Sequence, residues 1–170
     1  DKVGLILFTD QVELYIPPKK GKPHILRIIR ELIEFKPVNK KTDINVPLQF
    51  LSNILKNRAI IFLMSDFISD DYSNSLRIIS SKHDITGIRV YDKSEITIPN
   101  LGLVPLMDNE ENKMKLVYTG SKKIRKNYEK YYQNKIQLFE ENFKKAGAGT
   151  IDCSTEDSYQ KKLLRYFKNR

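Results

Sequence analysis

Ala59-Ile60-Ile61-Phe62-Leu63-Met64 runs without a charge and stops at Ser65-Asp66. Rich in Ile and too short for a buried helix, the run predicts a strand covered on both faces, of the kind found in parallel sheets. In those sheets, polar residues at a strand's carboxyl end line the crevice where ligands bind. Asp66 therefore falls where an α/β protein carries its chemistry.

On the amino-terminal side, Val3-Gly4-Leu5-Ile6-Leu7-Phe8 is a second buried-strand pattern, ended by Thr9-Asp10. Val12-Glu13-Leu14-Tyr15-Ile16 alternates, and Pro17-Pro18 closes it as an edge strand. The short Thr9-Asp10-Gln11 connection makes the two an antiparallel hairpin. A helix from about Lys22 to Phe35 has Ile25, Ile28, Ile29, Leu32 and Ile33 at helical spacing, Pro23 in its first turn and Pro37 as its stop. A second helix runs to about Asn57 after the loop 38–43, with Leu48, Leu51, Ile54 and Leu55 on one face.

On the carboxyl side, Asp70 to Lys82 reads as a short helix and Ile85 to Tyr91 as a strand. The alternation implies a mostly parallel sheet with one antiparallel edge strand. Residues 95–119 interrupt it with strand-like runs at Ile96, Ile98, Leu103, Val104 and Leu106, then Met114, Leu116 and Val117. With a polar turn at 108–112, this is a β-hairpin excursion. Ser121 caps a long helix to about Ala146 with Tyr128, Tyr132, Ile136, Phe139 and Phe143 in one stripe and Gly147 as its stop. Thr150 to Cys153 is a last strand, and Asp157 to Lys168 a closing helix. With no linker or repeat, residues 1–170 read as one α/β domain.

Composition narrows the function classes. At 170 residues, 40% hydrophobic and 30% charged, the chain is long enough for a real core. A single cysteine, Cys153, fits a reducing cytoplasm, and two histidines leave little room for a His-built zinc site. The net charge of +9 invites a nucleic-acid reading, but the lysines are dispersed and no recognised binding motif is present. The densest basic-aromatic stretch, Lys122 to Lys135, reads first as a solvated helix face.

Thr42 and Asp66 are the leading site candidates: a hydroxyl and a carboxylate on successive loops, oxygen ligands suited to Mg²⁺. The alternative is that Thr42, assisted by Asp43, caps the helix beginning near Ile44. Asp71-Tyr72-Ser73-Asn74-Ser75 matches a D-x-S-x-S metal pattern by letter, but opens a helix and lacks its own strand. His83-Asp84 reads as a helix-end cation, and Cys153 as a buried apolar thiol. Ala146-Gly147-Ala148-Gly149 follows a helix, which defeats a phosphate-cradling role.

Asp1-Lys2-Val3-Gly4-Leu5-Ile6-Leu7-Phe8, Pro17-Pro18-Lys19-Lys20-Gly21, Lys41-Thr42-Asp43-Ile44, Ser65-Asp66-Phe67, Lys82-His83-Asp84, Pro99-Asn100-Leu101-Gly102-Leu103 and Phe167-Lys168-Asn169-Arg170 follow one another in that order. Together they resemble the bacterial domain-of-unknown-function family fifty-eight, a von Willebrand factor A-like family associated with MoxR-type AAA+ ATPases. The resemblance implies a metal-ion-dependent adhesion site for Mg²⁺ or another divalent cation, with Thr42 in its threonine position and Asp66 in its aspartate position. Thr9, Asp10, Asp43 and Ser65 complete the interaction rim. The family's D-x-S-x-S loop would precede Val3, so the chain is expected to be truncated at its amino terminus and to lack the principal metal ligands.

In the family fold the first strand lies between the Val3–Phe8 and Ala59–Met64 strands. Without it these two either pair directly or expose edges, and self-association or reduced stability is expected. The resemblance implies a cytoplasmic, non-enzymatic adaptor serving a MoxR-type ATPase and unidentified client proteins, without direct membrane insertion. The alternatives are metal-dependent hydrolysis or phosphoryl transfer at the same rim, with Asp10 and Asp43 as spare carboxylates, and non-specific nucleic-acid binding through the helix 122–146.

Overall fold

The computed structural model describes residues 1–108 and 113–169. Its centre is a three-stranded parallel sheet in the order β3 (Ile60–Ser65), β4 (Asp84–Tyr91), β7 (Gly149–Ser154). The register aligns Leu63 with Gly87 and Thr150, and Ser65 with Arg89 and Asp152. β1 (Val3–Phe8) and β2 (Val12–Lys19) form a separate antiparallel hairpin, and so do β5 (Leu103–Asp108) and β6 (Lys113–Tyr118). The molecule is a mixed α/β fold, as the alternation of patterns predicts.

The helices are α1 (Lys22–Glu34), α2 (Asn45–Ile54), α3 (Ser73–Ser80), α4 (Lys122–Lys145) and α5 (Tyr159–Lys168). One face of the sheet carries the main core: Ile61, Leu63 and Ile85 pack with Ile44 and Leu48 of the α2 region, Leu76 and Ile79 of α3, and Phe139 and Phe143 of α4. Phe8 joins this cluster from β1. On the opposite face, Leu163 and Tyr166 of α5 cover Ile88, Ile151 and Cys153. Gly87 permits the close approach of α4, because a Cβ there would lie 2.5 Å from the Phe143 ring and 2.9 Å from that of Phe139. Ser121 Oγ accepts from the Ile124 amide, and Gly147 takes the left-handed conformation (φ 66°) that ends α4.

Several expectations are corrected. The 60–65 strand is covered on one face only: Ile61 and Leu63 are buried, whereas Ile60, Phe62 and Met64 are exposed. The reason is that α5 packs on β4 and β7 and touches β3 at its edge, through Phe167, whose ring lies 6.0 Å from that of Phe62. β1 is not a fully buried strand either, since Val3 and Gly4 are exposed and Leu5 to Phe8 are only partly buried. Of the two outcomes expected for β1 and β3, the chain shows the unpaired one.

Pro17-Pro18 does not close β2, which continues to Lys19; a two-stranded hairpin has an outer edge where missing donors break no ladder. Ile96 and Ile98 lie outside any strand, following a short 3₁₀ turn at Lys93–Glu95. The polar turn expected at 108–112 falls on residues 109–112, outside the described residues.

Candidate functional site: a rim of three loops

β1 and β3 end at a common rim, and the loop before α2 joins them. The Asp43 amide donates to the Thr9 carbonyl at 3.1 Å. Ser69 Oγ, on the loop after β3, donates to the Thr42 carbonyl at 3.4 Å. The two bonds bring the Thr9-Asp10, Thr42-Asp43 and Ser65-Asp66 loops together. Lys135 of α4 adds a further tie, its Nζ donating to the Ser69 carbonyl at 3.1 Å.

Each rim side chain has local work. Asp66 Oδ1 accepts from Ser65 Oγ at 3.2 Å and from the Ile68 amide at 3.1 Å. Ser65 Oγ in turn accepts from the Phe67 amide at 3.1 Å. The tight turn holds Phe67 at φ 59°, a conformation that L-residues with large side chains rarely adopt. Burial of its ring against Phe139 (centroids 4.3 Å apart), Phe143 and Tyr72 offsets that strain. Asp66 is therefore presented by a rigid, strained turn.

Thr42 does not cap α2. That task falls to Asp43, whose Oδ1 accepts from the Asn45 amide at 2.9 Å and from Asn45 Nδ2 at 3.1 Å. Asn45 continues the chain of bonds, donating to the Asp71 carbonyl and accepting from Ser75 Oγ at 2.7 Å. Thr9 is buried, and its hydroxyl donates to Glu13 Oε1 at 2.7 Å. Asp10 Oδ1 accepts from Asn39 Nδ2 at 2.7 Å.

Glu13 is a rim residue that sequence patterning misses, because it reads only as the polar partner in an alternating strand. Its carboxylate accepts from Thr9, from the Val38 amide at 2.8 Å and from the Asn39 amide at 3.0 Å. These bonds, the Thr9 hydroxyl's first, lower its pKa below the usual glutamate value.

The remaining candidates fall away from the rim. In 71–75, Asp71 Oδ1 accepts from the Ser73 amide at 2.9 Å and Ser73 opens α3, so the letters of a metal loop serve as a helix start. His83 is not a helix-end cation. It is buried, its Nδ1 accepts from the Ala59 amide at 3.3 Å, and desolvation lowers its pKa, with Lys82 adding to the effect. A ring accepting at Nδ1 is neutral and carries its proton on Nε2, which is buried without a partner. Cys153 is buried, and burial raises its thiol pKa, so it stays protonated at neutral pH. Among the described residues no group of three His, Cys, Asp or Glu side chains could hold a metal ion. Thr42 and Asp66 are hard oxygen donors of the right kind for Mg²⁺, but two donors do not make a site.

The family described as Protein of unknown function DUF58 matches residues 1–137. The chain belongs to the DUF58 family. The uncharacterized protein Rv1480 of Mycobacterium tuberculosis is 23% identical over 113 residues, which are 65% of this chain and 36% of that protein. The chain thus spans about a third of the length of that relative. The uncharacterized protein MAV169 of Mycobacterium avium is 20% identical over 158 residues, 91% of this chain and 93% of that protein.

Two solved structures share the fold. An aerotolerance-related membrane protein from Bacteroides fragilis, crystallised with multiple mutations to serine, superposes with a TM-score of 0.61 at 16% identity, covering 100% of this chain and 80% of that one. BatB from Bacteroides thetaiotaomicron gives 0.56 at 12% identity, covering 99% and 78%. At these identities the likeness shows the DUF58 chain's fold alone. Among the described residues no helix is long and apolar enough to cross a membrane.

Proposed function

We propose that this DUF58 chain is a non-enzymatic protein-interaction module, an adaptor that works with a MoxR-type AAA+ ATPase and presents its rim to client proteins. The observation that carries the reading is the tie among three loops, Asp43 to Thr9 and Ser69 to Thr42, which joins the loop carrying Asp66 to the loop carrying Thr42. A surface fixed before binding loses little conformational freedom when a partner docks. The rim's carboxylates already accept hydrogen bonds from their own or a neighbouring loop, which suits a docking surface better than a reaction centre. His83 lies at the other end of β3, beside Ala59, and Cys153 is buried beneath α5 on the opposite face of the sheet.

Thr42 and Asp66 would contribute two oxygens to a divalent cation such as Mg²⁺, and a carboxylate of the partner would supply a further one. The resemblance to von Willebrand factor A-like families and the aerotolerance-related solved neighbour support a role in maturation or stress response.

The test is binding of the MoxR-type ATPase to wild type and to Asp66→Ala, with Mg²⁺ and with chelator. Asp66→Ala is expected to weaken capture about tenfold or more and to abolish its chelator sensitivity. Unchanged affinity and unchanged metal dependence would sink the proposal.

A further inference from the structure

α1 is amphipathic, but only a small part of its apolar side is covered. Ile28 is its sole buried residue. Leu26, Ile29, Leu32 and Ile33 are 65%, 46%, 51% and 78% exposed. Positions 26, 29 and 33 are spaced three and four apart, so they form one stripe along a helix about 20 Å long. Such a contiguous apolar stripe marks an interaction surface, unlike scattered single residues.

The charges around the stripe name the occupant. Lys22 lies one turn before Leu26 on the same stripe, and Lys36 follows three residues after Ile33. Arg30 borders the stripe between Leu26 and Ile33, and Lys19-Lys20 lead into the helix; all five are exposed. The acidic residues of α1 are Glu31 and Glu34, which the helical spacing places away from the stripe, and Arg27 on that side approaches Glu31 at 3.9 Å. Glu34 neighbours Arg30 one turn on, but the cations outnumber it along the stripe, and an exposed apolar strip rimmed mainly by cations complements a surface that is negative outside and apolar beneath. A protein groove complementary to α1 would instead need its own acidic rim.

We propose that α1 lies in the plane of an anionic lipid surface, inserting Leu26, Ile29, Leu32 and Ile33 among the acyl chains while Lys19, Lys20, Lys22, Arg30 and Lys36 meet the headgroups. The contact is peripheral and reversible. It is separate from the rim, and its test does not depend on the adaptor reading.

The chain contains no tryptophan, so Leu26→Trp supplies a single fluorescent reporter at an exposed position. The full chain is mixed with vesicles of phosphatidylglycerol and phosphatidylcholine, or of phosphatidylcholine alone, and followed by emission and co-sedimentation. A blue shift and pelleting with the anionic vesicles are expected, at least about tenfold stronger than with neutral ones. Ile29→Ser/Ile33→Ser and, separately, Lys19→Glu/Lys20→Glu should each cut the partition about tenfold, whereas Leu138→Ser on exposed α4 should not. Thermal melts confirm that the variants fold.

Three results would overturn the proposal. One is no shift or pelleting with anionic vesicles. Another is equal pelleting of Ile29→Ser/Ile33→Ser, which means adsorption by charge alone. The last is a dimer in sedimentation velocity, made monomeric by the same substitutions without vesicle binding, which assigns the stripe to a second copy.

Discussion

At the scale of single residues, His83 makes the sharpest prediction. Its imidazole is buried and neutral, accepting from the Ala59 amide where the β3–β4 ladder begins. Its folded pKa lies below the ordinary value of 6.5, so the unfolded chain takes up the proton first as pH falls. The His83 contribution to stability is therefore whole above about pH 6.5 and is lost progressively from there down to the lowered folded value. Urea titrations at steps between pH 7.5 and 5 should show this loss, and His83→Leu should flatten the slope while lowering stability throughout, because the Ala59 amide loses its acceptor. A wild-type slope equal to that of His83→Leu would refute the assignment. The sequence could not reveal this state. A histidine between a helix and a strand looks like a helix-end cation, and only the fold shows that its ring turns inward.

Among elements, the contact of α4 with the sheet depends on an absence. Gly87 has no side chain where the rings of Phe139 and Phe143 settle. Gly87→Ala should cost about 1–3 kcal/mol, measured as a lowered urea midpoint with little change in m-value. An unchanged midpoint would show that the rings shift without penalty. Much of this level was legible in the chain. Pro23, Pro37, Ser121 and Gly147 mark helix ends by local chemistry, and Phe139 and Phe143 share a stripe by spacing alone. The reading of 59–64 as buried on both faces failed for a physical reason. An uninterrupted apolar run reports that a strand is apolar, whereas its covering depends on how far distant helices reach, and α5 reaches β4 and β7 but scarcely β3. In the candidate rim, Asp66 was legible from the end of an apolar run. Glu13 was not, because its partners Val38 and Asn39 lie far along the chain.

For the whole molecule, the arrangement leaves β3 as an outer strand without a charge or a proline from Ile60 to Ser65, its outward side chains Ile60, Phe62 and Met64 exposed. Edges of this kind recruit other strands. Concentration-dependent association is therefore expected in sedimentation velocity, and Phe62→Lys should suppress it with little loss of stability, since Phe62 is 43% exposed. Equal association of wild type and variant would place the contact elsewhere. The same edge also bears on motion. β4 is flanked on both sides, by β3 and by β7, whereas among the described residues β3, like β7, has a strand partner on one side only. Along β3, alternate amides point away from β4 toward water, so hydrogen exchange there has a two-residue rhythm and the central strand stays dark. That exchanging edge ends at the turn that holds Asp66.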